Sequence, residues 1–220
     1  MNSRVTDNHY VVARTPIIRK INLNDPEDIR RVAVIDRNRE VLKYMAGKEL
    51  NEKELLEFVT DDENRTLYVV SGHKGVPKEE VGKLQGWILI YSGKEVTERK
   101  RRALGRKVFD LNFSIIEVSY AKYPTAFSGQ IADGLRRVLL DLARKSGGDL
   151  RKGLMPPILV TAYVSPENEQ SRHVLETAGF TLQPKKIIWD SKESKKKDLV
   201  YVLDWNRLHC SKKMQKSKLE

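Results

Sequence analysis

The sequence is poor in the residues from which several kinds of site are built. It has one cysteine, Cys210, in 220 residues, and a single thiol excludes an internal disulfide. Its four histidines stand far apart from one another in the sequence, and His209 beside Cys210 has no further His or Cys at ligand spacing, so no Cys/His spacing of a metal site is present. No apolar run reaches the roughly 18–20 residues that a membrane-spanning helix needs, and residues 1–14 lack the apolar core of a secretory signal. These two absences predict a cytoplasmic protein. There is no phosphate-cradling Gly-Lys-Ser/Thr loop, no serine-hydrolase elbow and no internal repeat, which removes three further classes.

What is abundant is positive charge. The chain carries 41 Lys and Arg against 30 Asp and Glu, a net charge of +11, and it is concentrated. Lys94 to Lys107 holds seven basic and two acidic residues, Lys185 to Asp198 six and three, and Arg207 to Glu220 five and one. Outside these three stretches the chain is close to neutral. Such runs are solvated surface in most proteins, and a footprint for a polyanion such as nucleic acid in some. An apolar content of 40% builds a core, and 32% charged residues give a well-solvated surface. The domain reading is an N-terminal extension over 1–14, a single domain over 15–206 interrupted by the basic insertion 94–107, and a basic tail over 207–220.

One stretch organises the rest. Ile158 to Val164 is apolar and β-rich, Ser165-Pro166 breaks it, and Asn168 to Phe180 follows. Ser171, Val174, Leu175 and Ala178 stand at i, i+3, i+4 and i+7, one stripe of an amphipathic helix. Ser165 or Asn168 is suited to cap it, Pro166 to its first turn, and Gly179 to a left-handed stop.

The spacing elsewhere predicts a strand over Ile17–Leu23, a helix capped by Asp25 with Pro26 in its first turn, and a helical face continuing through Val41, broken or whole. A second helix is expected from about Asn51 to Val59. Thr66–Ser71 and Gln85–Tyr91 read as an antiparallel pair joined by a loop. Phe113–Ala121 is the strongest strand pattern. A helix with Ile131, Leu135, Val138, Leu139 and Leu142 inward follows it, then Ile158–Val164. Strand, crossover helix and strand imply two parallel neighbours. Thr181–Asp190 and Leu199–Trp205 close the sheet as a hairpin.

The wording Asn168, Ser171, hydrophobic pair, Gly179-Phe180 resembles the second signature segment of the GNAT superfamily of acyl-CoA-dependent N-acetyltransferases. The order of elements from Ile17 to Trp205 is similar to that family's order as well. The resemblance implies an α/β fold with a mixed, mostly antiparallel sheet of six to seven strands, a splayed parallel central pair, and helices on both faces. It also implies acetyl-CoA as co-substrate and an amine as acceptor. In that family the pantetheine arm enters the splay. Carried over, Val118, Ser119 and Tyr120 offer the strand edge, and Asn168 and Ser171 line the far side. The phosphate loop falls on Ser128, Gly129, Gln130, Ile131 and Ala132. Here the sequence departs from the pattern of Gln or Arg, two residues, Gly, one residue, Gly or Ala: Phe127 stands where Gln or Arg is expected and Gln130 where Gly is expected. Gln130 either obstructs the loop or supplies a substitute bond.

Chemistry in the family is attack of an amine on a thioester, which needs a base. Glu117 lies mid-strand in an apolar run, where partial desolvation suits a carboxylate to that role, and near the position of a glutamate base in some family members. It points either into the site or to solvent, since strand residues alternate. The tyrosine acid expected seven residues after the asparagine is replaced by Leu175. That fits family members that rely on water or on a tyrosine elsewhere, for which Tyr120, Tyr123 and Tyr163 are the stand-ins and Tyr120 the catalytic candidate. The alternative is a catalytically degenerate module of the same fold that binds nucleic acid or another polyanion through its basic loop and tail. A homodimer is compatible with either reading.

Overall fold

The computed structural model describes residues 10–12, 16–42, 50–71, 74–77, 84–92, 114–123, 128–183, 187–188 and 197–208. In chain order these form β1 (Tyr10–Val12), β2 (Ile17–Lys20), α1 (Pro26–Asp36), α2 (Arg39–Leu42), α3 (Glu52–Thr60), β3 (Arg65–Ser71), β4 (Lys74–Pro77), β5 (Leu84–Tyr91) and β6 (Ser114–Lys122). Then come α4 (Ser128–Lys145), β7 (Ile158–Val164), α5 (Glu169–Ala178), β8 (Phe180–Leu182), β9 (Ile187–Ile188) and β10 (Lys197–Leu203). The main sheet runs β2-β3-β5-β6-β7-β10-β8, with β9 added on β10. Of these neighbours β6 and β7 alone are parallel; the others are antiparallel. This is the mixed sheet with a parallel central pair that the sequence predicts.

Local chemistry sets the element ends. The Asp25 carboxylate accepts from the Glu27 N–H at 3.0 Å and Pro26 opens α1, where its missing donor does no harm. The helical face breaks at Arg37–Asn38, so the early helix is two, α1 and α2. Asn51 and Glu54 form a reciprocal capping box on α3, at 2.9 and 2.8 Å. Asn168 caps α5 by accepting from the Ser171 N–H at 3.0 Å. Because the cap is Asn168 and not Ser165, Pro166 lies in the turn before the helix, contrary to its expected place in the first turn. Gly179 ends α5 at φ 103°, a conformation that glycine alone adopts readily.

The two sheet faces carry separate cores. Ile88, Ile90, Ile116, Val118, Val160 and Ala162 pack beneath α4 and α5. Val69, Trp87 and Ala121 pack beneath α1 and α3. Strand alternation assigns even-numbered residues of β6 to the first face and odd-numbered ones to the second. α4 also reaches the edge: the Arg137 guanidinium donates to the Pro16 carbonyl at 3.0 Å, across 121 residues of chain.

One pairing was not legible. Residues 72–84 read as a loop and residues 1–14 as an extension, yet β1 and β4 pair antiparallel as a separate two-stranded sheet. The run Tyr10-Val11-Val12 is β-prone in composition but too short to announce a strand alone.

Candidate functional site

β6 and β7 are joined in parallel only from Ser114 opposite Ile158 to Glu117 opposite Thr161. Past that point each strand keeps its outer neighbour and loses the inner one. Glu117–Lys122 stays laddered to β5, and Thr161–Val164 to β10. The sheet therefore forks, with Val118–Lys122 on one arm and Ala162–Val164 on the other. At the apex the Thr161 hydroxyl, fully buried, donates to the Ile116 carbonyl at 3.2 Å.

Helix starts face the fork. The first turn of α5 lies across it: the Tyr120 hydroxyl, coming from β6, donates to the Ser171 carbonyl at 2.7 Å. Tyr120, Asn168 and Ser171 are thus brought together, and Val118 and Ser119 lie on the same arm as Tyr120. Burial, with a smaller contribution from nearby Tyr201, pushes the Tyr120 hydroxyl well above the ordinary tyrosine range, against the lowering effect of its bond to Ser171.

α4 starts shortly after β6 ends. Its first turn sits tight against the sheet because Gly86 has no side chain: a Cβ there would lie 2.4 Å from the Ala121 carbonyl oxygen and 2.5 Å from the Ile131 methyl. Gln130, Ile131 and Ala132 are buried, whereas Gly129 is exposed with open space around it. Gln130 is therefore turned into the protein and not over the exposed side of the turn. Phe127 lies outside the described residues, and of Ser128 the backbone alone is described.

The opposite face holds the other polar groups. Glu117 is half-buried and shares the face of Ala121 and Trp87. Tyr163, on β7, is on that face too; burial and then the charge of Glu117 push its hydroxyl upward, and Thr161 holds it down. The Trp87 indole donates to the Asp36 carboxylate at 2.9 Å. Burial pushes Asp36 up to about 6, and the bond from Trp87 opposes the shift. The sequence reading missed Asp36 and Thr161. A signal for Asp36 was present, because it continues the α1 stripe seven residues after Ile29, where an apolar residue is expected.

His173 is exposed on α5. His9, His73 and Cys210 lie outside the described residues, as do the basic segment 94–107 and the tail from 209 onward. Among the described residues no group of three His, Cys, Asp or Glu side chains could hold a metal ion, and no helix is long and apolar enough to cross a membrane.

No family model and no curated protein matches the sequence. Solved structures do match the fold. The aminoglycoside acetyltransferase AAC(6')-Ib, in complex with paromomycin and acetyl-CoA, is 15% identical with a TM-score of 0.57, over 89% of this chain and 96% of that one. A GNAT-family acetyltransferase from Bacillus anthracis is 16% identical with a TM-score of 0.57, over 89% and 98%. RimL, a ribosomal-protein alpha-N-acetyltransferase with coenzyme A, is 10% identical with a TM-score of 0.58, over 89% and 97%. With the forked parallel pair, the capped helix that faces it and these likenesses taken together, the chain has the GNAT fold.

Proposed function

We propose that this protein transfers the acetyl group of acetyl-CoA to an amine. The observation that carries the reading is the fork: a parallel pair joined for four registers and then open, with α4 starting beyond one arm and α5 capped across the gap. A strand edge without a ladder partner has main-chain donors and acceptors to offer an extended ligand. The pantetheine arm, itself a chain of amides, matches that edge at Val118, Ser119 and Tyr120, with Asn168 and Ser171 opposite. The pyrophosphate lies at the first turn of α4, from Ser128 through Gly129, Gln130 and Ile131 to Ala132, where helix N–H groups and the dipole favour negative charge. The open side of Gly129 and the inward turn of Gln130 keep that turn uncovered by their side chains.

Glu117 sits at the apex, where the thioester of a molecule threaded from the α4 end would arrive. It removes a proton from the acceptor ammonium. The freed nitrogen attacks the thioester carbonyl and sheds its second proton to solvent, the tetrahedral species collapses with loss of the carbon–sulfur bond, and the thiolate leaves. Tyr120 protonates it. In the resting state the Tyr120 hydroxyl donates that proton in a hydrogen bond to the Ser171 carbonyl, so transfer requires the developing thiolate to outcompete a neutral acceptor at the same place. A thiolate's full negative charge in a desolvated cleft is the stronger partner.

The test is direct. Acetyl-CoA at about a hundred times its dissociation constant should stabilise the protein by about 2.7 kcal/mol, and a screen of polyamines, aminoglycosides, amino acids and peptide N-termini should release free thiol with at least one amine. No stabilisation and no thiol release would overturn the reading. Salt-sensitive nucleic-acid binding without either would favour the polyanion-binding alternative, whose basic segments lie outside the described residues.

A further inference from the structure

We propose that Tyr163 is the positioning residue of the reaction: its phenol, standing just past the apex on the arm opposite Glu117, fixes where the Glu117 carboxylate sits when it takes the acceptor's proton. This rests on the acetyl-transfer reading above and adds a residue to it.

Register and alternation carry the placement. Glu117 is paired with Thr161, and paired residues in a ladder point to one face. Tyr163 is two residues further along β7, so its ring leaves the same face at the point where the strands part. A carboxylate at the last pair and a large, jointed phenol at the first unpaired position on that face can meet across the opening. Both residues are half-buried. Burial and then the negative charge of Glu117 lift the Tyr163 hydroxyl, against the lowering effect of a bond with Thr161. At neutral pH the phenol is therefore a neutral donor, the form suited to hold a carboxylate.

The surroundings agree with that role. Tyr91, the β5 partner of Glu117, lies beneath the Arg65 guanidinium, 5.4 Å from its ring centre. On the far side, Val200 is the partner of Tyr163, and Asp198 is the next residue of β10 on that face. From the helices, Asp36 reaches the same face through Trp87. Three carboxylates, Glu117, Asp198 and Asp36, and the phenols of Tyr163 and Tyr91 thus share this face; the Arg65 guanidinium is itself stacked and bonded to the Phe58 carbonyl at 2.7 Å, and that of Arg19, on β2, is bonded to Asp28. A phenol donor is the group at the apex best placed to orient Glu117.

Full-length wild type, Tyr163→Phe, Glu117→Gln and the double variant test it. Tyr163→Phe should lower kcat by about 10–100-fold, part of what a whole base contributes, with the KM for acetyl-CoA unchanged and the acidic limb of the pH–rate profile displaced. The double variant should be no slower than Glu117→Gln alone, because the phenol acts through the carboxylate. An activity-independent reading is the Tyr163 ring carbon signal in ¹³C-tyrosine NMR, whose titration should move to lower pH in Glu117→Gln. Additive losses, an unmoved pH limb or an unmoved tyrosine titration would overturn the assignment of Tyr163 while leaving acetyl transfer standing. A wild-type protein that releases no thiol from acetyl-CoA would overturn both.

Discussion

The two faces of the sheet differ in kind. Beneath α4 and α5 the buried residues are aliphatic almost throughout, and the polar contacts at the fork run from phenols to α5: Tyr120 donates to the Ser171 carbonyl, and the buried Tyr201 donates to Glu176. Beneath α1 and α3 lie a buried carboxylate, an indole donor, a half-buried glutamate and a second phenol. The first face offers packing and main chain; the second offers proton chemistry. A fork that opens through the sheet joins the two. In a transferase, a thin neutral arm suits the first and a cationic acceptor the second.

The comparison breaks most visibly at Glu117. Glu117→Gln should lower kcat by about 10²–10⁴-fold with acetyl-CoA affinity nearly constant; unchanged turnover would empty the second face of its role. Tyr120→Phe probes the first. If its proton reaches the thiolate, kcat falls by about 10–100-fold, measured with an acceptor saturating for both forms; turnover equal to wild type would leave Tyr120 as a strut between β6 and α5.

Gly86→Ala sharpens the boundary between the faces. Its methyl would meet the Ala121 carbonyl and Ile131, so the first turn of α4 must shift. A stability loss of about 1–3 kcal/mol is expected, together with weaker acetyl-CoA binding, both read from thermal unfolding with and without the ligand.

The smallest effect is a matter of pH. Asp36 ordinarily titrates at 3.8 and in the fold at about 6, so the native state holds its proton more tightly than the unfolded chain does. Stability therefore falls as pH rises from about 4 to about 6 and is flat beyond. The whole span is worth at most about 3 kcal/mol. Asp36→Asn keeps an oxygen for the Trp87 indole and removes the charge. It should raise stability above pH 6 by about 1–2 kcal/mol and flatten the acid limb in urea titrations at pH 4, 5, 6 and 8.

Much of the fold was legible because its ends are marked locally. Asp25-Pro26, Asn51 with Glu54, and Asn168 with Gly179 punctuate helices in sequence, and the run Ile115–Ala121 could be little else than a strand. The fork was legible only through resemblance. Nothing at Val118–Ala121 or Ala162–Val164, neither glycine nor proline, says that two strands part there. What parts them is where β5 and β10 hold the outer edges, a fact of the whole sheet. Of the site, Asn168 and Ser171 declared themselves as helix-start residues, whereas Thr161 at the apex reads in sequence as one more β-branched strand residue. Which face Glu117 takes also required the register with Thr161 and Tyr91.

The bond from Arg137 to the Pro16 carbonyl has a consequence for the nascent chain. The first antiparallel strands, β2, β3 and β5, are complete in sequence by Tyr91, but the helix that covers one side of them begins at Ser128. During synthesis that bare apolar side must wait for some fifty further residues, an interval in which ribosome-bound intermediates are open to misassociation. The edge strand and α4 therefore lock late and together, and pulse-labelled stalled chains ending before and after Lys145 should differ sharply in protease resistance at the N-terminal edge.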